Sequence, residues 1–357
     1  MKKTLIALAA LGAMAGVAHA QSSVTLYGAA DVFLGQTSSK TTTAGVEVKQ
    51  PSQTVINSGG LNGSRWGLRG SEDLGGGLKA VFQLENGFDI SNGAGAPGVL
   101  FDRQAFVGLS GGFGTVSLGR QYTAYDTLRG ATNNVFDSTF AATGGAWANG
   151  VADYSSRVNN SISYASPSFG GFSGQVVASV GENKLTGLSA TKNHSLHLKY
   201  ANGPLLVGFA HQTENNRNAA VVAVPAVVGP PAVAAVAAVA ANNSADRKYN
   251  MVAASYDFGV AALQTGFNVA KQGSRDDKEF QLGVSVPFGA ASIAVGAARS
   301  KSELGGVSTT GTGFGAAAVY NLSKRTSVYA GLNANKAEAG TTKTQTSLAA
   351  VGVRHLF

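Results

Sequence analysis

The ten carboxyl-terminal residues, 348–357, constrain the fold of this chain more than any other segment. Every second position carries a side chain that can face lipid: Ala349, Val351, Val353, His355 and the terminal Phe357. Successive side chains of a β-strand point to opposite faces, so a period of two indicates a strand with one apolar and one polar face. The segment therefore predicts a terminal strand whose outer face contacts lipid.

The first twenty residues have the pattern of a secretory signal. Lys2 and Lys3 precede an apolar stretch, and an Ala-His-Ala cleavage sequence follows at positions 18–20. An uncleaved anchor helix is the alternative, but the apolar stretch is shorter than the ~20 residues that a membrane span needs. We predict that residues 1–20 are removed and that 21–357 form a single domain. Export and a lipid-facing terminal strand together indicate an outer-membrane β-barrel.

The composition excludes several classes of protein. The chain has no cysteine, so an exported fold cannot depend on a disulfide framework here. Removal of Lys2 and Lys3 lowers the formal net charge from +8 to +6, and no dense cluster of lysine and arginine indicates a nucleic-acid partner. The 48 glycines and 8 prolines suit crowded barrel walls and tight turns.

Short segments rich in turn residues alternate with longer polar segments along the mature chain. The seven short segments lie at 74–77, 111–114, 167–171, 202–204, 257–259, 287–289 and 321–325. The eight long segments lie at 36–62, 91–99, 123–156, 183–190, 215–246, 273–276, 303–309 and 337–344. Fifteen connections join sixteen strands, and short periplasmic turns opposite long loops are typical of bacterial barrels. The predicted fold is all-β, a closed antiparallel transmembrane barrel of sixteen strands.

The predicted strands carry the alternation that a lipid-exposed wall requires. The outward parity of the first strand carries Val24, Leu26, Gly28, Ala30, Val32 and Leu34. Lipid accepts such a wall only if every backbone polar group pairs within the protein, so the sheet must close. A soluble β-sandwich would show the same alternation, but it leaves the terminal strand and the loop asymmetry unexplained.

Residues 219–241 could be mistaken for a membrane helix. They comprise alanine, valine, proline and glycine without a charge and are long enough to span a bilayer. However, Pro225, Pro230 and Pro231 break a helix, and the segment occupies one of the long polar gaps. We predict a low-complexity extracellular loop insertion.

Three matches to catalytic or binding patterns have simpler explanations. Residues 108–112 read G-x-S-x-G, but a nucleophile elbow needs a following helix, and here a strand follows. His194 and His197 would converge on a helix, whereas on a strand their odd spacing points them to opposite faces. The glycine run 75–77 lacks the Lys-Ser/Thr of a phosphate loop. The sequence predicts no enzyme, no cofactor and no metal site.

Long phrases of the chain resemble the Gram-negative general porins of the betaproteobacterial and neisserial type. They are SSVTLYGAAD (22–31), SRWGLRGSEDLGGGLKAVFQLENGF (64–88), RQAFVGLSGGFGTVSLGRQYT (103–123), RVNNSISYASPSFGGF (157–172), NLSKRTSVYAG (321–331) and VGVRHLF (351–357). The resemblance implies a sixteen-stranded barrel, a homotrimer and a third loop, residues 123–156, folded into the lumen as the constriction loop.

The resemblance also implies which side chains narrow the pore. Arg65, Arg103 and Arg157 start the second, fourth and sixth predicted strands, where the family places its wall arginines, and they fall on the inward parity. Glu85 is inward as well and resembles the family's wall glutamate. An inward arginine could instead only tie down the loop by pairing with an acid. The acidic candidates on the third loop are Asp126, Asp137 and Asp153, and the sequence leaves open which of them faces the arginines.

Other residues are less decisive. Ala29 stands where some relatives in this family carry an inward lysine, which costs one positive charge. Arg120 falls on the outward parity at a strand end, where it faces a neighbouring subunit unless a bulge shifts the count. The residues expected to form interfacial aromatic girdles are Trp66, Tyr164, Tyr320 and Tyr329, although ordinary sheet packing suits each one equally.

The expected function is passive diffusion through a water-filled pore in the cell outer membrane. The expected partners are the lipid bilayer, two further copies of the chain, and small hydrophilic solutes and inorganic ions, without nucleic acid. Arginines remain ionised at any relevant pH, so an excess of them should favour anions. A plugged or adhesive barrel that acts through its extracellular loops is the alternative. An outer-membrane enzyme would need a Ser/His or Asp/His set on one rim, and none of the four mature histidines is suitably placed.

Overall fold

The computed structural model describes residues 23–146, 154–215, 217–218, 242–243 and 246–357. Three predictions fall outside these described residues: the signal at 1–20, the site candidate Asp153 and the insertion at 219–241.

Twenty β-strands make up most of the described chain. They are β1 (Ser23–Thr43), β2 (Val46–Lys49), β3 (Gln53–Ser58), β4 (Arg65–Gly75), β5 (Leu78–Gly87), β6 (Gln104–Gly111), β7 (Gly114–Tyr122), β8 (Arg157–Ala165), β9 (Phe172–Val180), β10 (Lys192–Asn202), β11 (Leu205–Asn215), β12 (Arg217–Asn218), β13 (Asn242–Asn243), β14 (Arg247–Asp257), β15 (Ala262–Gln272), β16 (Arg275–Phe288), β17 (Ala291–Leu304), β18 (Val307–Asn321), β19 (Thr326–Ala339) and β20 (Thr342–Leu356). The helical elements lie between β7 and β8: helix α1 (Ala124–Thr132), a 3-10 turn (Val135–Asp137) and a single helical turn (Thr143–Ala146).

The main sheet closes into an antiparallel barrel of sixteen staves, where a stave is one of the sixteen strand positions around the wall. Eighteen strands belong to this sheet, and β1 pairs with β20 to close it. Two of the eighteen are not separate staves. β2 folds back on the far end of β1, and β3 and β4 pair with successive parts of the same edge of β1. The predicted sixteen-stranded barrel is therefore confirmed.

The two faces of the barrel differ in exposure, as the alternation predicts. In β1, Val24, Leu26 and Leu34 are exposed, whereas Asp31 and Phe33 are buried. The same contrast continues through the long strands β16–β20. An exposed face of large apolar side chains suits lipid, so it is the outer face, and the crowded parity is the inner face.

The short turns lie where the sequence predicts them, but the structure contradicts four of the predicted long loops. The segment 36–62 is mostly strand, since it contains the end of β1 and all of β2 and β3, and three other segments are tight turns. At 273–276, 303–309 and 337–344 the strands continue and end in tight turns at glycines with positive φ. The prediction of long loops there was wrong because a polar segment indicates only that the side chains are in water. Such residues can still pair in a strand. β18 has 15 residues and extends about 50 Å, roughly twice the ~25 Å apolar band of such a barrel.

The girdle prediction is wrong for Tyr329. Its side chain is 4% exposed and lies on the inner face, because its neighbour Val328 takes the outer position. Tyr164 and Tyr320 are exposed on the outer face, as a girdle requires. Among the described residues, no helix is long and apolar enough to cross a membrane.

Candidate functional site

Three strand ends bring Arg65, Glu85 and Arg103 together on the inner face. Arg65 begins β4, Glu85 lies near the end of β5, and Arg103 directly precedes β6. Glu85 lies between the two guanidinium groups, with its Oε1 2.7 Å from Arg103 Nε and its Oε2 3.7 Å from Arg65 Nε. The Glu85 side chain is only 6% exposed, so the carboxylate holds both arginines against the wall.

Tyr27 supports Glu85 from the first stave. The Tyr27 hydroxyl donates to Glu85 Oε2 at 2.8 Å and accepts a hydrogen bond from Gln83 Nε2 at 2.7 Å. Charge-assisted hydrogen bonds of this kind are stronger than neutral ones. The position of Glu85, and through it that of the arginines, is therefore set by two neighbouring staves.

Tyr122 joins Arg103 to Arg157. Arg103 Nη2 donates to the Tyr122 hydroxyl at 2.9 Å, and Arg157 Nη2 donates to the same oxygen. The Arg157 guanidinium carbon also lies 4.2 Å from the centroid of the Tyr122 ring. A guanidinium can stack on an aromatic ring without losing its charge. Arg65, Arg103 and Arg157 therefore form one basic strip along the inner face from β4 to β8.

Buried polar contacts attach the third loop to strands on another part of the barrel. The backbone of Ala124 contacts β10 through both its polar groups: its N–H donates to Ser195 Oγ at 3.0 Å, and its carbonyl oxygen lies 2.8 Å from His197 Nδ1. The Tyr125 hydroxyl donates to Asn268 Oδ1 on β15. The N-cap of α1 is Thr123, and threonine is one of the residues preferred at this position. The loop is thus held at its first turn by strands distant in sequence.

A charged side chain of the same helix interacts with a carboxylate of the wall. Arg129 belongs to the last turn of α1, and its guanidinium carbon lies 5.8 Å from the Tyr154 ring centroid. Glu279 on β16 is almost fully buried and interacts electrostatically with Arg129. Removing one partner of a buried pair leaves an uncompensated charge, so this pair favours one position of the helix.

The tip of the third loop has a strained backbone and a close-fitting seat. Val135, Phe136 and Asp137 have φ values of 51°, 62° and 49°. The left-handed region costs a residue with a side chain roughly 1 to 2 kcal/mol, so the surrounding contacts must enforce it. Phe140 makes one such contact, because its carbonyl oxygen lies directly against Gly315 of β18. A Cβ at position 315 would overlap with this oxygen, so a glycine in the wall is needed for the loop to approach this closely.

Residues 59–64 leave the sheet between β3 and β4 and face the tip of the third loop. We term this segment the ledge. Asp31, 0% exposed, holds the ledge by accepting the backbone N–H groups of Gly60 at 3.0 Å, Leu61 at 2.9 Å and Asn62 at 2.8 Å. The Tyr329 hydroxyl donates to the same carboxylate. A carboxylate with four donors gives this irregular segment a defined position.

The ledge and the third loop touch each other at Thr139. The Thr139 N–H donates to the Gly60 carbonyl oxygen at 3.1 Å, and Thr139 Oγ1 donates to the Gly59 carbonyl oxygen at 2.8 Å. These hydrogen bonds join the loop tip to the wall beside Arg65.

The ledge, the loop and the basic strip border one polar cleft of about 560 Å³. Its lining includes six of the seven predicted site residues, namely Arg65, Glu85, Arg103, Asp126, Asp137 and Arg157. The seventh, Asp153, lies outside the described residues. Two loop acids therefore share the cleft with the arginines, whereas the sequence left open which acid would do so.

The two loop acids are partly shielded from water. Burial raises the pKa of Asp126, although the Tyr154 hydroxyl donates to its Oδ1 at 2.6 Å. Burial raises the pKa of Asp137 as well, against the opposing effect of a hydrogen bond from Asn133. Both carboxylates are thus easier to neutralise than exposed ones, while the arginines stay charged.

Several residues of the site were missed by the sequence reasoning. A bulge between Gly119 and Gln121 breaks the parity count, so nothing marked Tyr122 as an inward residue. Asp31 falls on the inward parity of the first strand, but nothing in the sequence indicated its role, because the backbone groups that it holds lie 29 to 31 positions away along the chain. The signal that could have identified the role of Asp31 is that it is a single inward acid on a strand whose neighbours are small residues.

The remaining sequence observations have structural explanations. Arg120 occupies the outward parity beside the bulge, where it donates to the Asp102 carbonyl oxygen and to Asn159 Oδ1, both at 2.6 Å. His194 is exposed and His197 is buried, so they do lie on opposite faces of β10. The G-x-S-x-G match at 108–112 covers the end of β6 and the start of the turn to β7, so a strand follows it, as predicted.

The chain is similar along its whole length to outer-membrane proteins of Gram-negative bacteria. A model of the Gram-negative porin family matches residues 7–340. Outer membrane porin protein 32 of Delftia acidovorans is 33% identical, and an outer membrane porin protein of Bordetella pertussis is 32% identical, each with 100% of both chains covered. Among solved structures, an anion-selective porin from Comamonas acidovorans matches with a TM-score of 0.72 and 29% identity, covering 94% of this chain and 100% of the other.

Proposed function

We propose an anion preference for this chain, which belongs to the Gram-negative porin family. As an outer-membrane porin it forms a multi-strand β-barrel that lets small solutes cross the membrane passively. The cleft between the basic strip and the third loop is the proposed constriction of the pore. Inorganic anions and small anionic solutes are the proposed favoured cargo.

The basic strip is the observation that carries this proposal. Three guanidinium groups line one cleft, and they are linked through a single carboxylate, Glu85, and a single hydroxyl, Tyr122. Burial raises the pKa of the acids across the cleft, Asp126 and Asp137, so they lose their charge at higher pH than exposed carboxylates. The name of the Comamonas relative as an anion-selective porin supports the same direction.

The proposed mechanism is electrostatic. A narrowing of about 8 Å, the Debye length at physiological salt, leaves fixed charges unscreened across its width. Arginines on the wall and carboxylates on the loop then create a transverse field that orients dipolar solutes, and the surplus of ionised arginine lowers the entry barrier for anions. The third loop, held by the contacts of Ala124, Tyr125 and Thr139, is proposed to fold into the lumen and keep these groups at fixed separation.

Planar-bilayer recording of the refolded protein under a salt gradient tests the proposal. The variant Arg65→Gln/Arg103→Gln/Arg157→Gln should move the reversal potential towards cation preference. A matched control removes three charges from exposed positions outside the cleft, Lys184→Gln/Lys324→Gln/Arg325→Gln, and should leave the reversal potential unchanged. An unchanged potential in the first variant would refute the role of the basic strip, and a silent wild-type protein would indicate a plugged barrel.

A homotrimer is the proposed assembly. An apolar depression of about 720 Å³ on the outer wall, with small side chains such as Ala316, Ala318, Ala330 and Ala349, leaves room for the wall of a second copy. The mass of the detergent-solubilised protein, measured by light scattering with the detergent contribution subtracted, should equal three chains. A monomeric mass would contradict this proposal without affecting the anion preference.

A further inference from the structure

A second polar cavity lies beside the cleft, at the long-loop end of β8 and β9. β8 pairs with β9 only from Ser161 onward, whereas β9 stays paired with β10 as far as Val180. The first residues of β8, 157–160, therefore diverge from β9 and leave a gap of about 460 Å³ in the wall. We term this gap the notch, and its lining includes Arg120, Arg157, Ser179, Glu182, Asn193 and Glu214.

The floor of the notch belongs to the inner face of the barrel. Asn193 of β10 has the same parity as Ser195 and His197, which contact the third loop. Its register partners on the two adjacent strands are Ser179 of β9 and Glu214 of β11. The notch therefore opens towards the lumen, and a solute that enters from the long-loop side meets it beside the cleft.

The side chain of Asn193 is buried without a hydrogen-bond partner. The residue is 5% exposed, and neither its Nδ2 nor its Oδ1 forms a hydrogen bond within the described part of the chain. Arg157 Nε, which also belongs to the lining of the notch, is buried and equally unpaired among the described residues. Buried polar groups nearly always form hydrogen bonds, so these three atoms indicate a solute that supplies two acceptors and one donor.

Charges of both signs line the notch. Arg120, Arg157 and Lys192 are its cations, and Glu182 and Glu214 are its carboxylates. Glu214 is 2% exposed and has a fixed position, because its Oε1 accepts two hydrogen bonds, at 2.6 Å and 2.7 Å. The carboxylates repel a simple anion, and the cations repel a simple cation. A solute that carries one charge of each sign complements both sets.

We propose that the notch binds the zwitterionic head of a free α-amino acid. The carboxylate supplies two acceptor oxygens, for Arg157 Nε and Asn193 Nδ2, and the ammonium group donates to Asn193 Oδ1 on the side of Glu214. The volume of about 460 Å³ lies within the roughly 300–1,000 Å³ of small-molecule sites, so it leaves room for the amino-acid side chain. A zwitterion has no net charge, so the notch serves a class of solute that the basic strip does not select.

Saturation-transfer NMR titrations of the detergent-solubilised barrel test this inference. The probes are L-alanine, N-acetyl-L-alanine, which lacks the ammonium group, and L-alaninamide, which lacks the carboxylate. L-Alanine should bind at least about tenfold more tightly than either derivative, because each derivative loses hydrogen bonds from a charged group. Equal or tighter binding of N-acetyl-L-alanine would show a simple anion site, and no binding of L-alanine would show a notch that holds only water. Either result would overturn the proposal.

Two substitutions of Asn193 place the binding in the notch. Asn193→Leu removes both polar atoms at similar volume and should weaken L-alanine binding at least about tenfold, without lowering the apparent unfolding temperature, since a buried polar group without a partner does not stabilise the fold. Asn193→Asp keeps an acceptor but loses the donor, so it should also weaken binding, and it serves if the leucine variant does not fold.

The matched control is Asn250→Leu, which replaces an exposed asparagine on the outer face of β14. It should bind L-alanine like the wild type. Undiminished binding in a folded Asn193 variant, or an equal loss in the control, would contradict the assignment to the notch. Neither titration involves the reversal potential, so failure here is distinguishable from failure of the proposed anion preference.

Discussion

Removal of the Asp31 carboxylate should release the ledge without unfolding the barrel. Asp31→Ala deletes the acceptor of three backbone N–H groups, those of Gly60, Leu61 and Asn62. Each hydrogen bond to a charged group contributes about 1.5 to 3 kcal/mol, and pore water can replace part of that loss. We therefore expect the local opening free energy of the ledge to fall by about 4 kcal/mol. At about 1.4 kcal/mol per factor of ten, amide exchange there should accelerate about a thousandfold.

Hydrogen exchange with mass spectrometry resolves this effect by segment. Peptides that cover residues 59–64 should exchange faster in Asp31→Ala, and bilayer recordings should become noisier because Thr139 loses a firm partner in Gly59 and Gly60. Asp31→Asn keeps one acceptor oxygen and should give a smaller change. Asp73→Ala removes an acceptor from an exposed turn, where its Oδ1 accepts the Gly75 N–H at 2.9 Å, and should leave the ledge unchanged. Ledge exchange that changes by less than about tenfold in Asp31→Ala would refute the reasoning.

Two further predictions concern the third loop. Gly315→Ala places a methyl group on the carbonyl oxygen of Phe140, so we expect overpacking to cost about 1 to 3 kcal/mol and to alter the conductance. Gly112→Ala, whose Cβ meets open space, should change neither quantity, and equal effects of the two would contradict the close fit. Because burial raises the pKa of Asp126 and Asp137, both lose charge at higher pH than an exposed aspartate, so anion preference should rise as the pH is lowered from neutrality. Reversal potentials should show this rise, and Asp126→Asn/Asp137→Asn should abolish it; a fall in anion preference with acidification would refute it.

The sequence was sufficient to predict the strands of the wall and the inward direction of the arginines in the basic strip. A strand has a strict period of two, so parity placed Arg65 and Glu85 on the inner face without any knowledge of their partners. Arg103 and Arg157 were placed in the same way, at strand starts that meet in space because the staves are neighbours. Parity determines only the direction of a side chain, whereas the resemblance to the porins indicated which inward residues lie together.

The sequence was insufficient where the regular sheet is interrupted. The bulge beside Gly119 hid Tyr122, and the departure of residues 59–64 from the sheet hid the role of Asp31. Such irregularities depend on partners far along the chain, as with the Tyr329 hydroxyl, which meets Asp31 across 298 positions. Polar composition also failed to mark the ends of β16–β20, since strand pairing continues beyond the apolar band.

The seat of the third loop has a consequence for the order of biogenesis. Thr139 is bonded to the ledge in the second stave, while Asn333 of β19 donates to the Ala141 carbonyl oxygen at 3.0 Å. These two halves of the seat adjoin only across the seam where β1 meets β20. The full set of contacts that hold the third loop can therefore form only after the barrel has closed, and a chain arrested before β1 pairs with β20 would leave the loop tip with only one half of these contacts.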